Sequence, residues 1–218
     1  MKVDKLESKN QPNNWLDTVS WECREYPIQL VKIDKSELVM DVGANVGGFW
    51  KVWGHISDNW ELVEPSKYNC EEIVKNGYKG IYHRNAVSDK SGRFLKLQRY
   101  MIGENETVSG NFGTSEFVNQ SNKHGWQGDW EEVVSLCYND LLGGREVGLL
   151  KIDCEGAEYD FLMNNELSNI KWIVGEFHNF LGVEKQKELF DWIGKTHKEI
   201  LSSGDGIETH YVKLWERK

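Results

Sequence analysis

The sequence predicts an α/β fold built on an open, mostly parallel sheet. Short apolar runs recur at residues 38–42, 61–64, 148–153 and 172–177, as strands buried on both faces do. Stretches with helical spacing of apolar residues lie between them. The first run also ends on glycines and passes straight into a helical pattern, which is how strand–helix units in such sheets are joined.

The chain has 218 residues, 39% apolar and 28% charged, which suits one domain with a short N-terminal extension. A chain of this length buries about 70% of its unfolded surface and needs no metal or disulfide staple. Its 26 Lys and Arg face 35 acids, a formal net charge of −9, so a general affinity for polyanions is not expected. Met1–Asn14 lacks the apolar core of an export signal, and no apolar run approaches the roughly 20 residues of a membrane span. A cytoplasmic protein with reduced thiols is therefore expected. Cys23, Cys70, Cys137 and Cys154 form no C-x-x-C pair, and the six His make no short-spaced metal pair. No G-x-S-x-G elbow or P-loop is present, so hydrolase and P-loop chemistries have no support.

Taken in order, residues 1–37 read as a polar extension followed by a covering helix, with Trp15, Trp21, Tyr26 and Ile28 supplying apolar positions. Residues 38–218 form the domain proper. Leu38–Val42 is the first strand, and Gly47–Ile56 a helix carrying Phe49, Trp50 and Trp53 on one face. Residues 61–64 are the second strand, stopped by Pro65. Ser66 then caps a helix that Gly77 ends. Residues 79–87 make the third strand, and 93–98 a hairpin or edge strand. Residues 101–130, rich in Gly, Asn, Ser and Thr, read as a long loop of the kind that carries function. A strand over 132–136, a short helix over 138–142, the strand over 148–153 and a helix over 157–164 follow. The strand over 172–177, a helix over 184–194 and a last strand over 209–215 complete the chain.

The turn after the first strand, Asp41-Val-Gly-Ala-Asn-Val-Gly-Gly-Phe49, is the most informative segment. Gly43 permits a tight turn and Gly47 a close approach of ligand and helix start. The spacing departs from the dinucleotide fingerprint, because Asn45 stands where its second glycine belongs. Asp41 would repel a pyrophosphate but suit a neutral or cationic ligand. Glu64 closes the second strand, where a carboxylate can accept two ribose hydroxyls.

These segments, with Leu62-Val-Glu-Pro65, Asn85-Ala-Val-Ser-Asp89, Leu150-Lys-Ile-Asp-Cys-Glu-Gly-Ala-Glu158 and Val174-Gly-Glu-Phe-His178, resemble the ordered motifs of FkbM-type methyltransferases. These are class I enzymes dependent on S-adenosyl-L-methionine, and the likeness runs from about residue 38 to about residue 180. It implies a Rossmann-like class I methyltransferase fold: a mostly parallel seven-stranded sheet with helices on both faces. It further implies O-methylation of a hydroxyl on a saccharide or a small natural-product-like acceptor. Asp41, Gly43, Asn45 and Gly47 would line the methionine and ribose part of the cofactor site, and Glu64 would bind the ribose. Asn85 and Ala86 would sit by the adenine. Asp153 and Glu155 would face the sulfonium and the acceptor, and Glu176 and His178 would stand beside them. Asp153 also suits a helix cap.

An alcohol acceptor must lose its proton, which asks for a carboxylate or a His within reach. Asp153 and His178 are the candidates, with His178 slightly preferred. No metal set is assigned, although Asp153 with Glu176 could hold Mg²⁺. Trp126 and Trp130, beside the family-like polar segment Ser109–Ser115, could stack on a sugar. An amino-methylating nucleic-acid enzyme would need paired prolines after the fourth strand, and the three prolines here are isolated. The remaining rivals are a non-catalytic nucleoside-binding module and a dinucleotide-dependent oxidoreductase. A nucleic-acid partner is not expected, and the oligomeric state is unreadable.

Overall fold

The computed structural model describes Leu16, Ser20 and residues 22–102, 106–112, 130–203 and 210–218. Eleven strands are arranged in two sheets among these residues. The large sheet contains β1 (Leu38–Val42), β2 (Asn59–Val63), β3 (Ile81–His83), β8 (Val147–Ile152), β9 (Ile170–His178), β10 (His197–Ser203) and β11 (His210–Arg217). Its spatial order is β10-β11-β9-β8-β1-β2-β3, and only β11 runs against the others. This is the expected class I methyltransferase architecture. The order reverses beside β1, so the crevice outside the C-terminal ends of β1 and β8 is where such a sheet takes a ligand.

Period-two alternation splits the core between the two faces. Leu38, Met40 and Val42 of β1 join Leu150, Ile152, Ile173 and Phe177 under α3 (Tyr138–Leu142), α4 (Glu158–Leu162) and α5 (Val183–Thr196). Val39, Leu62, Leu149 and Val174 face the other way, under α1 (Gly48–Trp53) and α2 (Lys67–Lys75). Cys23, Tyr26 and Ile28, ahead of β1, are buried in this second cluster. Leu16, Ser20 and Glu22 are helical, and two 3₁₀ turns, Cys23–Glu25 and Ile28–Leu30, follow them. Trp53 Nε1 donates to Cys23 O at 2.8 Å and Trp172 Nε1 to Lys32 O at 3.2 Å, which ties the segment to the sheet.

The helix after the glycine turn is shorter than expected, because its last turn, Gly54–Ile56, tightens to 3₁₀. Ser66 caps α2 as expected, its hydroxyl accepting from Asn69 N. The third strand divides. After β3, Asn85 Nδ2 donates to Val134 O, and β4 (Ala86–Val87) pairs with β7 (Trp130–Leu136) instead of continuing the large sheet. The second sheet has the order β4-β7-β5-β6, in which β5 is Phe94–Ile102 and β6 is Glu106–Phe112.

Part of the expected 101–130 loop is strand. β5 (Phe94–Ile102) and β6 (Glu106–Phe112) form an antiparallel pair, since main-chain pairing to β5 outweighs the Gly- and Asn-rich composition. Residues 113–129, with Trp126, lie outside the described residues. β10 was not expected: it follows α5 without a turn and is mostly exposed, so it carries no apolar run to announce it.

Candidate active site

The site begins under the glycine turn. Asp41 and Lys151 are register partners on β1 and β8 and point to the same face, where each interrupts an otherwise apolar strand. Lys151 Nζ lies 3.1 Å from Asp41 Oδ1 and 3.8 Å from Asp153 Oδ2, and it donates to Gly43 O at 2.7 Å. Burial opposes the ammonium, but the Asp41 and Asp153 carboxylates overcome it and hold Lys151 above the usual lysine range. Burial likewise pushes the Asp41 carboxyl up, and Lys151 pulls it back. Asp41 is thus an internal counter-ion and is fully buried.

The turn itself alternates left-handed residues: Gly43 at φ 79°, Asn45 at φ 51° and Gly47 at φ 87°. Asparagine is among the few side chains that tolerate this region, so Asn45 does the conformational work of the fingerprint's missing glycine. Gly43 and Ala44 N–H both donate to Val63 O, which pins the turn to the end of β2. A Cβ on Gly43 would lie 1.7 Å from Asp153 O. Gly43→Ala is therefore expected to cost about 2–4 kcal/mol of stability, read by urea denaturation.

Glu64 is also fully buried. Its carboxylate accepts from Asn45 N at 2.9 Å, Ser66 N at 2.9 Å and Asn69 Nδ2 at 3.2 Å. Burial pushes its carboxyl up to about 7 against those three hydrogen bonds. It ties the glycine turn to the start of α2 and does not itself line the neighbouring cavity.

That cavity opens at the C-terminal ends of β1, β2 and β4. Its wall is largely apolar, with Val42, Val63, Pro65, Val87, Leu95 and Leu97, and includes Gly43, Asn85 and Ala86. Of the sequence-expected cofactor residues, these last three line the cavity. Asp41, Asn45, Gly47, Glu64 and Asp153 are not part of its lining.

Cys154 and Ala157 continue the wall toward a group of ionisable side chains. Glu155 at φ 53° and Gly156 at φ 100° turn the chain sharply after β8. Helix α4 consequently starts at Glu158, and Asp153 is not its cap. The Glu158 carboxylate instead accepts from Cys154 N at 3.1 Å and Gly156 N at 3.2 Å. His178, at the end of β9, meets Glu158 Oε1 at 3.0 Å through Nδ1. Its Nε2 lies 3.3 Å from Glu155 Oε2 and 3.6 Å from Glu176 Oε1. Burial works against a charged ring, but Glu158 and Glu176 win and raise His178 to about 11. These carboxylates favour the charged ring, which works against the role of proton acceptor that the sequence preferred for His178.

Asp153 and Glu155 are about a quarter exposed, at 26% and 28%. Burial pushes Glu155 up to about 8, with Asp153 and Glu158 adding to it and His178 opposing. Asp153 is raised by burial and by Glu176, against Lys151. Ligand atoms of Asp153, Glu155 and His178 fall within 4.8 Å of one another, close enough for a divalent cation if the ring gave up its proton. Lys151, Glu158 and Tyr26 were not expected from sequence. The lysine could have been found, because a charge inside Leu-Leu-Lys-Ile needs a buried acid and Leu-Val-Met-Asp-Val offers one.

The four cysteines are unpaired, and no helix among the described residues is long and apolar enough to cross a membrane. The chain matches the methyltransferase FkbM domain over residues 41–203. No curated protein matches it. Among solved structures it is similar to the ribosomal protein L11 methylase from Lactobacillus delbrueckii subsp. bulgaricus, with TM-score 0.45 and 9% identity over 92% of this chain and 77% of that one. An rRNA methylase from Streptococcus thermophilus gives TM-score 0.43 and 9% identity over 96% and 98%. The fibrillarin/Nop5p complex gives TM-score 0.49 and 12% identity over 91% and 79%. The domain match spans most of the chain, and the chain belongs to the FkbM methyltransferase domain family.

Proposed function

We propose that the chain transfers the methyl group of S-adenosyl-L-methionine to a hydroxyl of a saccharide or a small natural-product-like acceptor. The carrying observation is the continuity of an apolar cavity, through Cys154, with partly exposed carboxylates whose affinity for protons is raised. When bound, the cofactor supplies a sulfonium methyl open to in-line attack, a reaction in which alignment contributes much of the acceleration. Asn85, Ala86 and Val87 would hold the adenine end. Asp153, placed by the backbone bond from its N–H to Val42 O, would stand at the reacting end. It accepts the hydroxyl proton as the new bond forms, with Glu155 beside it. His178 stays charged and holds Glu155, Glu158 and Glu176 together. The net charge of −9 favours an acceptor other than nucleic acid.

The experiment is transfer of isotopically labelled methyl from S-adenosyl-L-methionine to a panel of sugars and glycosides, with the product located by mass spectrometry. Label on a hydroxyl oxygen supports the reading; label on nitrogen, or in RNA, contradicts it. A metal-assisted version draws on the Asp153, Glu155 and His178 trio. Transfer that is lost in EDTA and restored by Mg²⁺ would assign that trio to a cation and remove the carboxylate base.

A further inference from the structure

Tyr26 lies ahead of the family-matched region, which begins at residue 41. Its ring is 5% exposed and meets Phe49 edge-on, with centroids 5.5 Å apart. Phe49 in turn covers the Lys151 ammonium at 6.0 Å. The hydroxyl of this packed ring donates to Asp153 Oδ2 at 3.1 Å. Lys151, at 3.8 Å, approaches the same oxygen. Burial raises the carboxyl of Glu22, one turn earlier, and the nearby Glu176 and Asp153 add to it, so this segment borders the site.

We infer that Tyr26 is a positioning residue, which fixes the Asp153 carboxylate in the orientation that meets the sulfonium and the acceptor hydroxyl. The inference rests on the proposed function. Its physical basis is that a charge-assisted hydrogen bond from a packed, rigid ring holds one carboxylate rotamer, whereas Lys151 alone leaves the carboxylate free to turn. The segment before the family domain would then complete the catalytic site as well as cover the sheet.

Affinity for cationic S-adenosyl-L-methionine against neutral S-adenosylhomocysteine reads the carboxylate's placement without any acceptor. Both affinities are measured by calorimetry in wild type, Tyr26→Phe, Asp153→Asn and the double variant. Tyr26→Phe keeps the ring and removes only the hydroxyl. It should reduce the preference for the cation about threefold to tenfold while leaving the melting temperature and the homocysteine affinity nearly unchanged. In the Asp153→Asn background the same change should have no further effect on the ratio. An unchanged ratio in Tyr26→Phe, or an equal fall in both backgrounds, would overturn the positioning role and leave the cofactor reading standing. Wild-type protein that binds neither compound would overturn both.

Discussion

Lys151→Met should lower the free energy of unfolding by about 3–5 kcal/mol, because it strands a fully buried carboxylate. Asp41 loses the ammonium 3.1 Å away, and its Oδ2 has no hydrogen-bond partner among the described residues. Methionine fills the space under Phe49, so the loss is electrostatic more than steric. The sign with pH follows from burial, which pushes Asp41 up and which the variant no longer offsets. A carboxyl whose folded pKa lies above its unfolded value leaves the protein more stable when protonated. The variant's deficit against wild type should therefore be smallest at low pH and should grow as pH rises through the raised pKa. Adding Asp41→Asn should recover much of the loss, since a buried pair removed whole costs little. Urea denaturation at several pH values checks both points. A deficit that is flat with pH, or that Asp41→Asn deepens, would mean the pair is not what Lys151 contributes.

Asp153→Asn should reduce turnover about 10²- to 10⁴-fold, the usual loss when a general base is removed. The amide keeps the volume and can still accept from Tyr26, so cofactor binding should suffer far less than turnover. His178→Ala acts differently in this scheme. It removes the cation that holds Glu155, Glu158 and Glu176 together, so it should damage stability along with rate. In wild type the proton acceptor must be unprotonated. Activity should therefore rise with pH, through an apparent pKa well above the ordinary carboxylate range, toward the value of about 8 at Glu155. That apparent pKa belongs to the interacting group and not to one side chain. Activity that falls over the same range, or an Asp153→Asn variant with wild-type turnover, would place the base elsewhere.

The sheet was legible because its central strands are continuous apolar runs, and Ser66 and Gly77 bracket α2 in plain view. What was hidden depended on tertiary partners. β6 is composed like a loop and is a strand only because β5 pairs with it. The split after β3 reflects the pull of β7 on residues 86 and 87, which is invisible in a run of strand-forming residues. In the site, the positions at the strand ends were readable from motif order. Their protonation was not. His178 is pushed toward its charged form because Glu158, 20 residues away in sequence, is folded back under its Nδ1 by the left-handed turn at Glu155 and Gly156. Glu64 reads as a ligand residue from its place after β2, yet three N–H donors from the turn and α2 already engage it. Tyr26 stands in a stretch with no motif, and tertiary packing, that of Phe49 included, brings it to Asp153.

Titration calorimetry of the full chain with S-adenosyl-L-methionine tests the central claim most directly. The account predicts saturable binding of one molecule per chain, weakened by a bulky substitution in the adenine wall such as Ala86→Trp in a variant that keeps its melting temperature. Absence of binding, with or without Mg²⁺, would contradict it.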